Sequence, residues 1–132
     1  MLYFDSSALV KLVIIEVESY SLRSWIAARK SEARVSSAVA CVEVPRAVRR
    51  YGSDPVAAAY RLFTDRIHLV ELTFALMDTA AHLNPEMLHS LDAIHLASAL
   101  RLGAGLTALV AYDKRLLEAA TAAGIPTVSP GA

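Results

Sequence analysis

The chain has 132 residues, and its 13 Lys and Arg balance 13 Asp and Glu, a formal net charge of zero. It therefore lacks the basic surplus that draws a protein to nucleic acid as a whole, so any such binding must rest on local patches or on metal ions. A single cysteine, Cys41, excludes a disulfide framework and a cysteine metal cluster and reads as a buried thiol.

The start MLYFDSSALVKLVII is interrupted by Asp5 and Lys11 and is followed by no small-residue cleavage site, so no signal peptide is expected. Leu2 to Phe4 predicts a short strand ending at Asp5, and Ser6 to Ile14 a helix that Asp5 would cap. Glu18 to Lys30 predicts a second helix, and Arg34 to Ser36 a strand. Ser36 or Ser37 is expected to cap a helix from Ala38 to about Tyr51. Within it, Glu43 interrupts an apolar face and has Arg46 one turn on as an ordinary ion-pair partner. Pro45 implies either a kink just after Glu43 or a new helix starting there.

Asp54 and Pro55 read as a cap and first-turn pair opening a helix to about Arg66. Ile67 to Leu72 predicts a strand, and Phe74 to Leu83 a helix ended by Asn84-Pro85. From Leu91 to Leu102 a helix is apolar nearly all round, hence buried on more than one side. Ser90 is its expected cap, which puts Asp92 in the first turn, and Gly103 and Gly105 stop it. Thr107 to Tyr112 is a continuous apolar run, as in a parallel strand covered on both faces, and Asp113 follows at once. Lys114 to Ala123 predicts the last helix, and Ile125 to Val128 the last strand. Ala119 to Ala132 is the longest stretch free of Asp, Glu, Lys and Arg, but Gly and Pro interrupt it, so no membrane span is expected and the chain reads as cytoplasmic.

Strands alternating with helices indicate one α/β domain over residues 1–132, with a five-stranded, mainly parallel sheet flanked by helices. Ligand sites of such sheets lie beyond the carboxyl ends of the strands, where strand order reverses. Asp5 and Asp113 both follow strands, and Asp92 and Glu43 lie on helices expected to pack beside them. Four converging carboxylates repel one another, and a hard divalent cation resolves that repulsion. Mg²⁺ or Mn²⁺ suits a set without cysteine, and hydrolysis of a phosphodiester suits such a centre. His95, one turn from Asp92, reads as a structural histidine rather than a ligand.

FDSSALVKL at Phe4 to Leu12, SSAVACVEVPRA at Ser36 to Ala47, LDAIHLASAL at Leu91 to Leu100 and AYDKRLLEAA at Ala111 to Ala120 carry a resemblance in that order. The sequence resembles a PIN-domain ribonuclease, closely the VapC toxin type of bacterial toxin–antitoxin pairs. The resemblance implies a PIN-like three-layer fold and maps the catalytic and metal-binding acids to Asp5, Glu43, Asp92 and Asp113. It implies that Ser7 helps to hold the metal site, and that Mg²⁺ or Mn²⁺ supports endoribonuclease activity on structured RNA such as transfer or ribosomal RNA. The sequence departs at Ala111, where the family usually has Thr or Ser, and the loss of that hydroxyl is expected to loosen Asp113 or weaken metal binding.

Two other readings remain: a PIN-type module that only binds RNA or protein, and a Mg²⁺-dependent phosphohydrolase of another α/β family. A basic rim of Lys11, Arg46, Arg49, Arg50, Lys114 and Arg115 is the expected guide for RNA. The hydrophobic fraction of 55% exceeds the roughly 45–50% of ordinary domains. The excess concentrates in Leu12 to Val17 and Val56 to Phe63, the expected surfaces for a homodimer and a cognate antitoxin helix.

Overall fold

The computed structural model describes all of residues 1–132. In chain order the elements are β1 (Leu2–Phe4), α1 (Ser6–Val13), α2 (Ser19–Ala27), β2 (Arg34–Ser37), α3 (Ala40–Val48) and α4 (Ser53–Asp65). β3 (His68–Val70), α5 (Phe74–Ala81), α6 (Ser90–Leu100), β4 (Ala108–Val110), α7 (Lys114–Ala122) and β5 (Thr127–Val128) follow. One-turn 3-10 helices occupy Arg49–Tyr51 and Gly103–Gly105.

The strands form one sheet in the order β3-β2-β1-β4-β5, and every neighbouring pair is parallel. The chain moves outward from β1 to β3, then crosses back to lay β4 against the free side of β1. Strand order thus reverses between β1 and β4, the place where an open α/β sheet leaves a crevice at its carboxyl edge.

Side-chain alternation explains why both faces are covered. Leu2 and Phe4 of β1 and Ala108 and Val110 of β4 join one core with residues of α1, α2, α3 and α4. Tyr3 and Leu109, on the opposite face, join a second core with Leu96 and Ala99 of α6 and Leu116, Ala119 and Ala120 of α7. A third, small cluster of Leu76, Ala80, Ala93 and Ala97 seals α5 against α6. The polar side chain in the middle of β2 is satisfied: Ser36 Oγ donates to the Phe4 carbonyl at 2.6 Å.

Several helix starts differ from expectation. Gly52, not Asp54, precedes α4, and Pro55 sits at the third helical position. Gly52 has φ +110°, a conformation that favours glycine, and this lets the chain turn directly out of the preceding 3-10 turn. Pro55 is tolerated because the first N–H groups of a helix lack intrahelical partners anyway. His89, in extended conformation, takes the position expected for Ser90 and makes no side-chain cap, while Asp92 does lie in the first turn of α6. Pro45 neither divides α3 nor starts a new helix. It lies inside Ala40–Val48, and i−3 bonds from Cys41 N to Ala38 O (3.1 Å) and Val42 N to Val39 O (3.0 Å) tighten the first turn.

The two apolar stretches divide between core and surface. Leu12, Val13 and Ile14 pack on the first core, whereas Ile15 and Val17 are 90% and 93% exposed. Ala59 and Phe63 are buried while Tyr60 stays exposed. No helix is long and apolar enough to cross a membrane.

Candidate active site

Asp5 leaves the end of β1 as the cap of α1. Its Oδ1 accepts from Ala8 N at 2.9 Å, and Ser7 Oγ donates to Oδ1 and Oδ2 at 2.7 and 2.8 Å. Ser7 Oγ also accepts from Tyr112 N at 3.0 Å, so one hydroxyl ties the Asp5 carboxylate to the backbone just after β4. Asp113, three residues beyond β4, repeats the cap at the start of α7, its Oδ1 accepting from Leu116 N at 3.0 Å. Both acids are therefore fixed by helix caps beside the crevice.

Asp92 comes from the first turn of α6. Burial pushes its carboxyl above the ordinary value, and the charge of Asp113 pushes it further. Asp5 is nearly inaccessible, and burial raises its carboxyl from 3.8 to about 6. Glu43 behaves differently. Burial alone would raise its carboxyl, but hydrogen bonds from His95 and Ser6 outweigh that and hold it below the ordinary range. The contacts are Ser6 Oγ to Glu43 Oε1 and His95 Nε2 to Glu43 Oε1, each 2.7 Å. Arg46, the partner suggested by spacing, makes no ion pair with Glu43, whose Oε1 instead accepts from His95 Nε2.

Asp92 thus feels the charges of Asp113 and Glu43, and Asp5 shares with it the neighbouring His95, while no three His, Cys, Asp or Glu side chains converge closely enough to grip an ion alone. The donor set still fits a hard divalent cation. It offers carboxylates and hydroxyls, it carries charge that no Lys or Arg neutralises by an ion pair, and Mg²⁺ keeps most of its water and needs only one or two direct carboxylates.

The sequence matches the PIN domain family over residues 2–122. The chain belongs to the PIN-domain family. Its relatives are of the VapC type: it is 41% identical over 134 residues to "Ribonuclease VapC47" of Mycobacterium tuberculosis, covering 100% of this chain and 98% of that one. It is 43% identical over 133 residues to "Ribonuclease VapC35" of the same organism, covering 99% and 98%. In fold it is similar to M. tuberculosis VapC20, described as a Sarcin-Ricin loop cleaving toxin, with TM-score 0.79, 19% identity and coverage of 98% and 100%. It is also similar to a VapBC2 structure from Rickettsia felis bound to a promoter DNA fragment, with TM-score 0.70, 13% identity and coverage of 98% and 99%.

In this PIN domain the expected basic rim is not uniform. Lys11 is only 9% exposed, donates to Glu18 and Glu16 at 2.8 and 3.4 Å, and lies 4.6 Å from the Tyr112 ring centre. Burial would lower its ammonium, yet the two glutamates outweigh that and raise it. Lys11 is therefore engaged within the fold. Arg46, Arg49, Arg50, Lys114 and Arg115 are exposed. Arg50 rests on Tyr51, and Arg115 Nη1 approaches His89 Nε2 at 3.0 Å. Ala111 is fully buried, and its carbonyl accepts from Ser129 Oγ at 2.6 Å. The residue that sequence reasoning undervalued is His95. Its spacing from Asp92 was a signal, but its partners Tyr3 and Glu43 lie 92 and 52 residues away.

Proposed function

We propose that this PIN domain is a Mg²⁺- or Mn²⁺-dependent endoribonuclease, the toxin of a toxin–antitoxin pair, acting in the cytoplasm on a structured RNA of the transfer or ribosomal class. The observation that carries the reading is that two helix-capping acids, Asp5 and Asp113, follow the carboxyl ends of the adjacent strands β1 and β4, where strand order reverses. Asp92 and Glu43 join them from α6 and α3. The acids would hold the cation, which when bound supplies Lewis-acid activation of water and stabilisation of charge on the leaving oxygen. Ser7 orients Asp5 against β4, and Ser6 and His95 orient Glu43. A phosphodiester is drawn to the centre by the exposed arginines and Lys114 rather than by net charge.

The RNA class is in keeping with the description of VapC20, and the VapBC2 structure favours an antitoxin as partner. Exposed Ile15 and Val17 after α1 and Tyr60 on α4 offer apolar area for that segment or for a second copy of the chain. Purified protein should cleave RNA with Mg²⁺ or Mn²⁺, stop in EDTA, and resume when the cation is restored; cleavage that continues in EDTA rejects the metal-dependent reading.

The rim has its own test. Arg46→Glu combined with Arg50→Glu is expected to raise KM and flatten its dependence on salt, by ~0.7 in log–log slope per lost phosphate contact. An unchanged slope removes both residues from the RNA path.

A further inference from the structure

Glu43 is held unlike the capped acids. Asp5 and Asp113 each accept a backbone N–H, whereas both hydrogen bonds to Glu43 come from side chains and both end on Oε1. Oε2 is left without a protein donor. Ser6 Oγ, one of the two donors, also lies 3.2 Å from His95 Nε2. The other donor is an imidazole fixed at both nitrogens: His95 Nε2 lies 2.7 Å from Glu43 Oε1, and Nδ1 lies 2.7 Å from the Tyr3 hydroxyl. The ring is 2% exposed and meets Tyr3 edge-on at 75°.

The donor assignment follows from the partners. Ionised Glu43 can only accept, so Nε2 carries a proton and donates. Burial keeps the Tyr3 hydroxyl protonated, and in the neutral imidazole it donates to Nδ1 and fixes that tautomer. The chain Tyr3–His95–Glu43 also joins the three elements that bear three of the acids. Tyr3 stands two residues before Asp5 on β1, His95 three residues after Asp92 on α6, and Glu43 on α3.

We propose that His95, locked by Tyr3, is a positioning residue that fixes Oε1 of Glu43 and so leaves Oε2 as the oxygen offered to a cation or its water. This rests on the metal-dependent nuclease reading. A buried donor of this kind acts on affinity for the ion as well as on turnover.

The test uses the full-length, metal-free protein and Mn²⁺ alone, with free Mn²⁺ followed by electron paramagnetic resonance. His95→Phe fills the space and removes both ring nitrogens. It is expected to weaken Mn²⁺ binding by ~10- to 100-fold and to lower kcat for RNA with KM little changed. His95→Gln places an amide N–H near Glu43 and should restore most of both. Tyr3→Phe removes one hydroxyl and should lose less, while nitrogen-15 shifts of the His95 ring change from a single Nε2–H tautomer to a mixture.

Thermal melting by circular dichroism establishes which variants fold. Folded His95→Phe with wild-type Mn²⁺ affinity overturns the proposal. If that variant does not fold, Tyr3→Phe with both wild-type affinity and an unmixed tautomer overturns it instead. Wild-type protein that ignores Mn²⁺ or cleaves RNA in EDTA is a different result, because it rejects the metal-dependent reading and this inference with it.

Discussion

Asp5→Asn is expected to abolish RNA cleavage while making the metal-free protein more stable at neutral pH. Burial holds the Asp5 carboxyl at about 6 instead of 3.8, so the folded chain binds that proton more tightly than the unfolded one. The stability this brings is complete below the unfolded value of 3.8 and is lost as pH rises through about 6. Above that range the ionised carboxylate costs the metal-free fold on the order of 3 kcal/mol. Asn keeps an oxygen for Ala8 N and carries no charge.

Urea unfolding should therefore show a gain of ~1–3 kcal/mol near pH ~8 that disappears near pH ~4. Cleavage should fall by ~10³-fold or more, the equivalent of several kcal/mol of charge stabilisation. Added Mn²⁺ should raise the melting temperature of the wild type more than that of the variant, because binding to the folded state alone adds stability by mass action. A variant that cleaves at the wild-type rate would remove Asp5 from the active site.

Phe4→Ala is expected to bring the protein close to unfolding. Phe4 is fully buried on the central strand and belongs to the core shared with α1, α2, α3 and α4. A large-to-small change there costs ~3–5 kcal/mol, because the cavity collapses only in part. Against a total of ~5–15 kcal/mol for a typical domain, that is a large share. The urea midpoint should drop with the slope unchanged. A loss under ~1 kcal/mol would mean that the helices on this face close over the gap.

The parts of the site legible in the sequence are those built locally. An apolar strand, an acid and then a helix recur at Phe4-Asp5-Ser6 and Tyr112-Asp113-Lys114, and both acids do cap their helices. The parallel sheet followed from alternating strands and helices, though strand order did not, because it is set by which crossover packs where. Asp54-Pro55 misled because a positive-φ glycine just upstream starts the helix by backbone geometry, and a side-chain cap is not needed. Lys11 looked like a free charge because Glu16 and Glu18 belong to a turn that folds back on α1. Glu43 and Arg46 share a helix face, yet the carboxylate turns to a histidine on another element. No local pattern reports a partner so far along the chain.

The order of the strands bears on how the protein opens. β1, the strand that ends in Asp5, has a neighbour on each side, while β3 and β5 form the margins and span only 3 and 2 residues. Amide protons in β1 and β4 should be the last to exchange with deuterated solvent, while those at the margins exchange early through local fraying. On that expectation Asp5 and Asp113 follow directly or closely on the slowest-exchanging strands. Breathing at either margin leaves them in register, and the acids separate only when the whole domain lets go.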